Sequence, residues 1–197
     1  MSRWSTLTTV IALLSIPATA HADSPFNGFS IGGNVGLAKN QAKNPISGVD
    51  TGTVKKNGKE FRGFVGYDTL AGDNFVVGGE LGLATAGPTV TWSNDEYSYR
   101  ADPKLAIDAS LRAGILVTDN ALIYGRVGYA NASVKTSLTT PSNSDVASNS
   151  KRKGGVLFGG GVEFAVSDSL SLRGEILKKD LGKIDSKQLL FGAALRF

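Results

Sequence analysis

Residues 63–84, "GFVGYDTLAGDNFVVGGELGLA", decide the fold. Two runs with period-two alternation flank "LAGDN" at 70–74, whose Gly, Asp and Asn are residues that close tight reversals. Val65, Tyr67, Val77, Leu81 and Leu83 share one parity, and Asp68 and Glu80 share the other. A strand whose alternate residues differ in this way has two unlike faces. The stretch reads as a hairpin with one apolar and one charged face.

Outward from this hairpin the pattern repeats. Eight strands are expected, over 27–39, 60–69, 74–85, 104–116, 121–132, 154–166, 169–178 and 187–197, with no helix. Three connections are short: "LAGDN", "VTDN" at 117–120 and "VSDS" at 166–169. The other four, over 40–59, 86–103, 133–153 and 179–186, are long and hold Pro45, Pro88, Pro103 and Pro141. Proline cannot donate to a ladder, so its absence from the expected strands fits the assignment. Alternating short and long connections describe an all-β, eight-stranded antiparallel up-and-down barrel, with both chain ends on the short-turn side.

Residues 1–22 read as a cleaved signal peptide: Arg3, an apolar stretch from Leu7 to Ile16, and the small-residue site Ala20-His21-Ala22. The barrel domain is then 23–197. The leader takes with it His21 and Met1, each the sole residue of its type, and the chain has no Cys. Without imidazole or thiol, His/Cys metal sites and the usual general bases are missing, so no enzyme, metal or cofactor is expected. The net charge of +4 does not argue for nucleic acid.

Lysine placement decides which face meets water. Each Lys after residue 22 lies in a long connection or at a strand end beside one. Strand interiors carry Arg, Asp and Glu, all on one parity. The opposite parity is uncharged, as at Leu81, Ile107, Leu111, Val127, Val162 and Leu172. An uncharged outer face suits lipid, where mid-bilayer charge costs about 2–4 kcal/mol. An eight-stranded lumen is just wide enough for side chains to fill. Glu80, Asp108, Arg112, Arg126, Glu163, Arg173 and Glu175 are therefore expected to form a charged plug, with Glu80 near Arg112 and Arg126 near Glu163. Phe29, Tyr67, Phe75 and Phe197 face outward near the short turns and are expected to form an aromatic girdle.

The sequence resembles the small eight-stranded outer-membrane β-barrels of the porin-like opacity protein and OmpA transmembrane-domain type. The resemblance runs from "FNGFSIGGNVGLA" to "ALRF". It is most specific in 63–84, in "LRAGILVTDNALIYGRVGYANA" (111–132), in "GGGVEFAVSDSLSLRGEIL" (159–177) and in the terminal Phe197. It implies location in the outer membrane of a Gram-negative bacterium. It also implies that the assembly machinery of that membrane reads the last strand and its aromatic end.

The long connections, counted over 40–59, 86–104, 132–153 and 178–187, carry 14 Lys and Arg against 7 Asp and Glu. Lys55, Lys56, Lys59, Lys151, Arg152, Lys153, Lys178, Lys179 and Lys183 make the external end basic. Lipopolysaccharide phosphates or a host polyanion are the expected partners. Two functions are in view: a structural and surface-interaction barrel with a plugged lumen, or a narrow porin-like channel for ions or small solutes. Inward Gly66, Gly128, Gly161 and Gly192 leave room for the second. A soluble ligand-binding barrel is disfavoured by the lysine pattern.

Overall fold

A computed structural model describes residues 24–43, 53–85, 89–93, 98–140, 143–181 and 184–197. The leader expected over 1–22 lies outside the described residues. The strands are β1 (Gly28–Lys43), β2 (Thr53–Leu70), β3 (Phe75–Thr85), β4 (Val90–Ser93), β5 (Ser98–Thr118), β6 (Ala121–Thr140), β7 (Asn143–Ser167), β8 (Leu170–Asp180) and β9 (Ile184–Arg196). All pairings are antiparallel, and each strand pairs with its neighbours in the chain except that β3 pairs with β5 rather than with β4. Closure comes from β1 pairing with β9, from Ser30↔Arg196 to Ala42↔Ile184. Short β4 carries the pairing of β5 past the end of β3, so the closed ring has eight strands.

The short turns fall where the sequence places them. Ala71 N–H donates to Phe75 O at 2.7 Å, and Gly72 takes φ +85°, a left-handed conformation that glycine adopts without steric cost. Carbonyls of Asn74, Asn120 and Ser169 accept from Leu116, Ala165 and Arg196, so each turn also ties down the next ladder.

The long connections differ from expectation, because most of their residues continue the strands. The β6–β7 ladder runs on through Ser133↔Arg152 to Thr140↔Asn143, far past the expected ends at 132 and 154. Alternation marks a strand only where its two faces meet different media. The Ser, Thr, Asn and Lys that prevail in these segments carry no such signal. Pro103 is a second correction, since it lies inside β5. It sits at a register shift between Pro103 and Ala106, where the ladder does not need its missing N–H. Pro45, Pro88 and Pro141 lie outside the described residues.

The two parities separate cleanly. Leu37, Leu81, Ile107, Leu111, Val127 and Ile176 are exposed on the outer wall. Inside, the lumen is layered. Phe26, fully buried and just ahead of β1, packs with Val76, Leu122, Tyr124 and Ala165 across the short-turn end, with Leu70 and Leu116 beside them. At the opposite end Ala130, Leu157, Leu177 and Leu190 form a second apolar layer, and Ala84, Ala106 and Ala132 a third. Leu181, from the β8–β9 connection, packs on both. Buried charged side chains lie between the short-turn layer and the others.

Candidate functional site: a charged lumen and a basic rim

Among the described residues, twelve charged side chains are buried inside the barrel: Glu60, Asp68, Glu80, Asp108, Glu163 and Glu175 against Arg62, Arg112, Arg126, Arg173, Lys179 and Arg196. Six acids and six bases sum to zero. Uncompensated charge is expensive in a low-dielectric interior, so charges buried together in this way are expected to balance and pair.

The pairing runs in two tiers. Toward the short turns, Arg112 Nε lies 3.1 Å from Asp68 and its Nη2 2.9 Å from Glu163. Arg196 Nη2 reaches Asp68 at 3.2 Å and Glu163 at 2.7 Å, and its guanidinium sits over the Phe26 ring. In the second tier Arg62 grips Asp108 with two hydrogen bonds, from Nε at 3.0 Å and from Nη2 at 2.6 Å, and donates to Glu80 at 2.7 Å. Arg126 contacts Glu80 at 2.9 Å, Asp108 at 3.0 Å and Glu175 at 3.2 Å. Arg173 joins the tiers, with Nη1 2.7 Å from Glu80 and Nη2 3.3 Å from Glu163. Its guanidinium lies 4.0 Å from the Phe64 ring centroid. The planar fork of arginine suits these shared contacts, because one group serves two or three carboxylates in fixed directions.

Neutral groups complete the network. Tyr124 OH donates to Glu175 at 2.8 Å, Asn34 Nδ2 to Glu175 at 2.9 Å, and Ser171 OH to Glu163 at 2.6 Å. Nearer the long connections Glu60 accepts from Lys179 at 2.9 Å and from Gln188 at 2.5 Å.

The structure brings all seven expected lumen residues together, with Glu80 near Arg112 as expected but Arg126 on other partners than Glu163. Arg112 Nη1 stands 3.9 Å from Glu80, at the outer limit of an ion pair, while Arg62, Arg126 and Arg173 hold that carboxylate more closely. Arg126 binds Glu80, Asp108 and Glu175 rather than Glu163. Register explains the shift. Arg112 and Arg126 stand directly opposite each other on β5 and β6, and Glu163 stands opposite Arg173 on β7 and β8. Like charges side by side send the two arginines to different tiers.

Arg62, Asp68 and Arg196 belong to the network, and their inward parity was the available signal. Glu60 and Tyr124 share that parity on their own strands. Lys179 is a correction: placed by sequence in a basic external connection, it is buried on the inner face of β8. Its even spacing from Arg173, Glu175 and Leu177 carried the signal that its charge obscured. The four inward glycines are a further correction, because none opens onto free space. An added Cβ at Gly66 would meet Ser30 Oγ at 3.0 Å, and one at Gly161 would meet Tyr124 OH at 3.0 Å. At Gly128 and Gly192 the side chains of Ser110 and Asn34 stand as close.

The girdle residues Phe29, Tyr67, Phe75 and Phe197 are all exposed. Phe29 and Tyr67 meet edge-on with centroids 4.8 Å apart, and the backbones of Phe29 and Phe197 exchange hydrogen bonds at 3.1 and 2.9 Å. Among the basic residues, Lys55, Lys56, Lys59 and Arg152 are exposed on β2 and β7, and Lys153 is half-buried. Lys178 is also half-buried, with Nζ 5.6 Å from the Phe158 ring centroid. Lys151 is placed only by its register opposite Val134, and Lys183 lies outside the described residues.

A closed antiparallel ring with an apolar outer wall and a charged, filled interior defines a small transmembrane β-barrel. Residues 8–197 match the outer membrane protein beta-barrel domain, and the chain belongs to that family of outer-membrane proteins. Over 190 residues it is 27% identical to the 31 kDa outer-membrane immunogenic protein of Brucella melitensis biotype 1, covering 88% of this chain and 79% of the relative. Among solved structures it is similar to Ail, the attachment invasion locus protein of Yersinia pestis, in complex with the heparin analogue sucrose octasulfate. That likeness has a TM-score of 0.55 and 17% identity, over 87% of this chain and 99% of that one. OprG of Pseudomonas aeruginosa gives 0.54 and 14%, over 89% and 99%. At these identities the likeness to solved structures is one of fold.

Proposed function

We propose that this outer-membrane barrel conducts nothing and works through its surface, supporting the envelope and binding polyanions at its basic external end. One observation carries the first half: the lumen holds a neutral, paired network between two apolar layers, one seated by Phe26 and the other by Leu181. An ion crossing it would have to break several arginine–carboxylate contacts at once. The second half rests on the excess of Lys and Arg in the external segments, where lipopolysaccharide phosphates or a host polyanion supply the complementary charge. The heparin analogue bound to Ail is a polyanion on a barrel of the same fold. On this reading residues 1–22 are an export leader, and β9, which closes the ring, is the segment read by the assembly machinery. No catalysis is proposed, since residues 23–197 contain no His and no Cys.

The test is ion leak from proteoliposomes holding the refolded barrel, with insertion verified by protease protection. Leak no faster than from protein-free vesicles is expected. Steady leak that scales with inserted protein would replace this reading with the narrow channel.

A further inference from the structure

Three lysines form an unbroken row across the outer wall. Lys39 on β1 stands directly opposite Lys187 on β9, and Lys187 directly opposite Lys178 on β8. Each has the parity of the lipid-facing residues before it, Leu37, Leu189 and Ile176, which themselves pair across the same strands. Lys59, opposite Leu37, adds a fourth ammonium diagonal to Lys39. Directly opposed side chains start roughly 4.5–5.5 Å apart, and like charges at that spacing repel. Two such contacts in succession favour an anion placed over them.

The surroundings sharpen the point. Among the described residues, no carboxylate stands in the lysine row or in the row on its lipid side. Asp185 and Asp180 face each other one row farther from the membrane. The other side of the barrel is built differently. There Asp102 lies 2.8 Å from Lys104 and 3.9 Å from Arg100 and accepts from Thr89, so those two cations share a carboxylate of the protein's own. The row's depth is also specific. On β1, β8 and β9 it begins where the exposed apolar residues end, a place suited to lipid headgroup phosphates, and Lys178 lies there against Phe158 of β7.

We infer that Lys39, Lys187 and Lys178, with Lys59, form a phosphate site for a membrane glycolipid of the lipid A type, whose acyl chains lie along Leu37, Leu189 and Ile176. The inference rests on the polyanion reading above and narrows it to one wall of the barrel and one class of lipid. The lysines of the projecting ribbons are not part of this site.

The test uses the full refolded chain in phosphatidylcholine vesicles carrying fluorescent diphosphoryl lipid A or, separately, phosphatidylglycerol. Binding of a soluble sulfated polysaccharide is measured in parallel. The triple variant Lys39→Gln, Lys178→Gln, Lys187→Gln is expected to weaken lipid A retention about tenfold. The triple variant Lys55→Gln, Lys56→Gln, Arg152→Gln, on the projecting ribbons, is expected to weaken polysaccharide binding more than it weakens lipid A retention. Heat-dependent gel migration checks folding, and Lys187→Gln alone, at the centre of the row, keeps the test open if the wall triple does not fold. Equal losses from both triples, or retention of phosphatidylglycerol as tight as that of lipid A, would overturn the site. A wild-type chain that binds the polysaccharide but not lipid A would overturn the inference and leave the polyanion reading standing. Binding of neither would overturn both.

Discussion

The two faces of each strand obey opposite rules. Leu111 and Arg112 are neighbours in the chain, yet Leu111 is 69% exposed toward lipid and Arg112 is 4% exposed toward the lumen. On the outer face a charge has no partner and no water, so it is excluded. On the inner face twelve charges coexist because each lies among opposite charges with fixed directions. The difference shows that burial does not forbid charge; unpaired burial does.

The largest expected effect comes from unpairing the interior. Arg173→Ala leaves Glu80 and Glu163 short of a shared cation and should destabilise the barrel by about 3–5 kcal/mol in urea unfolding from vesicles. A loss under 1 kcal/mol would mean that the tiers do not depend on each other. Next comes a charge on the wrong face: Leu111→Arg should cost about 2–4 kcal/mol in the same assay. If that variant were neutral, the outer wall would not lie at mid-bilayer depth.

Smaller effects sharpen the same contrast. At the inner edge Lys179→Ala strands Glu60, whereas Lys179→Met with Glu60→Gln removes both charges. The double variant should be more stable than the single, since a buried pair is worth less than the penalty for breaking it. A double variant worse than the single would show net stabilisation by the pair. At the short-turn rim, a double-mutant cycle on Phe29 and Tyr67 should return a coupling of about 0.5–1.5 kcal/mol.

The smallest effect belongs to Asp102, outside the membrane-spanning wall. The hydrogen bond from Lys104, helped by Thr89 and Arg100, holds its carboxyl below the ordinary aspartate range. A lowered folded-state value contributes stability above the unfolded value and loses it as pH falls through the folded one. Asp102→Asn should therefore change neutral-pH stability by less than about 1 kcal/mol, and this difference should vanish in acid.

Legibility in the sequence followed the same division. Strands, short turns and inward parity could be read wherever lipid lies on one side and the lumen on the other, as over 63–84. Past that zone both faces meet water, alternation stops, and the extensions of β2, β5, β6 and β7 gave no signal. Parity and depth placed Glu80 and Arg173 in one compartment. Their contact, across 93 residues of chain, depends on ring closure and on which way each guanidinium leans. Lys179 was misplaced because its charge outweighed its parity, and Pro103 because a bulge is invisible before the register is known.

The measurement that bears most directly on the central claim is single-channel conductance of the refolded barrel in a planar bilayer, with Arg173→Ala alongside. The wild type should be silent while demonstrably inserted, and any conductance should appear only in the variant whose network is broken. Reproducible wild-type steps of defined size would contradict the closed lumen.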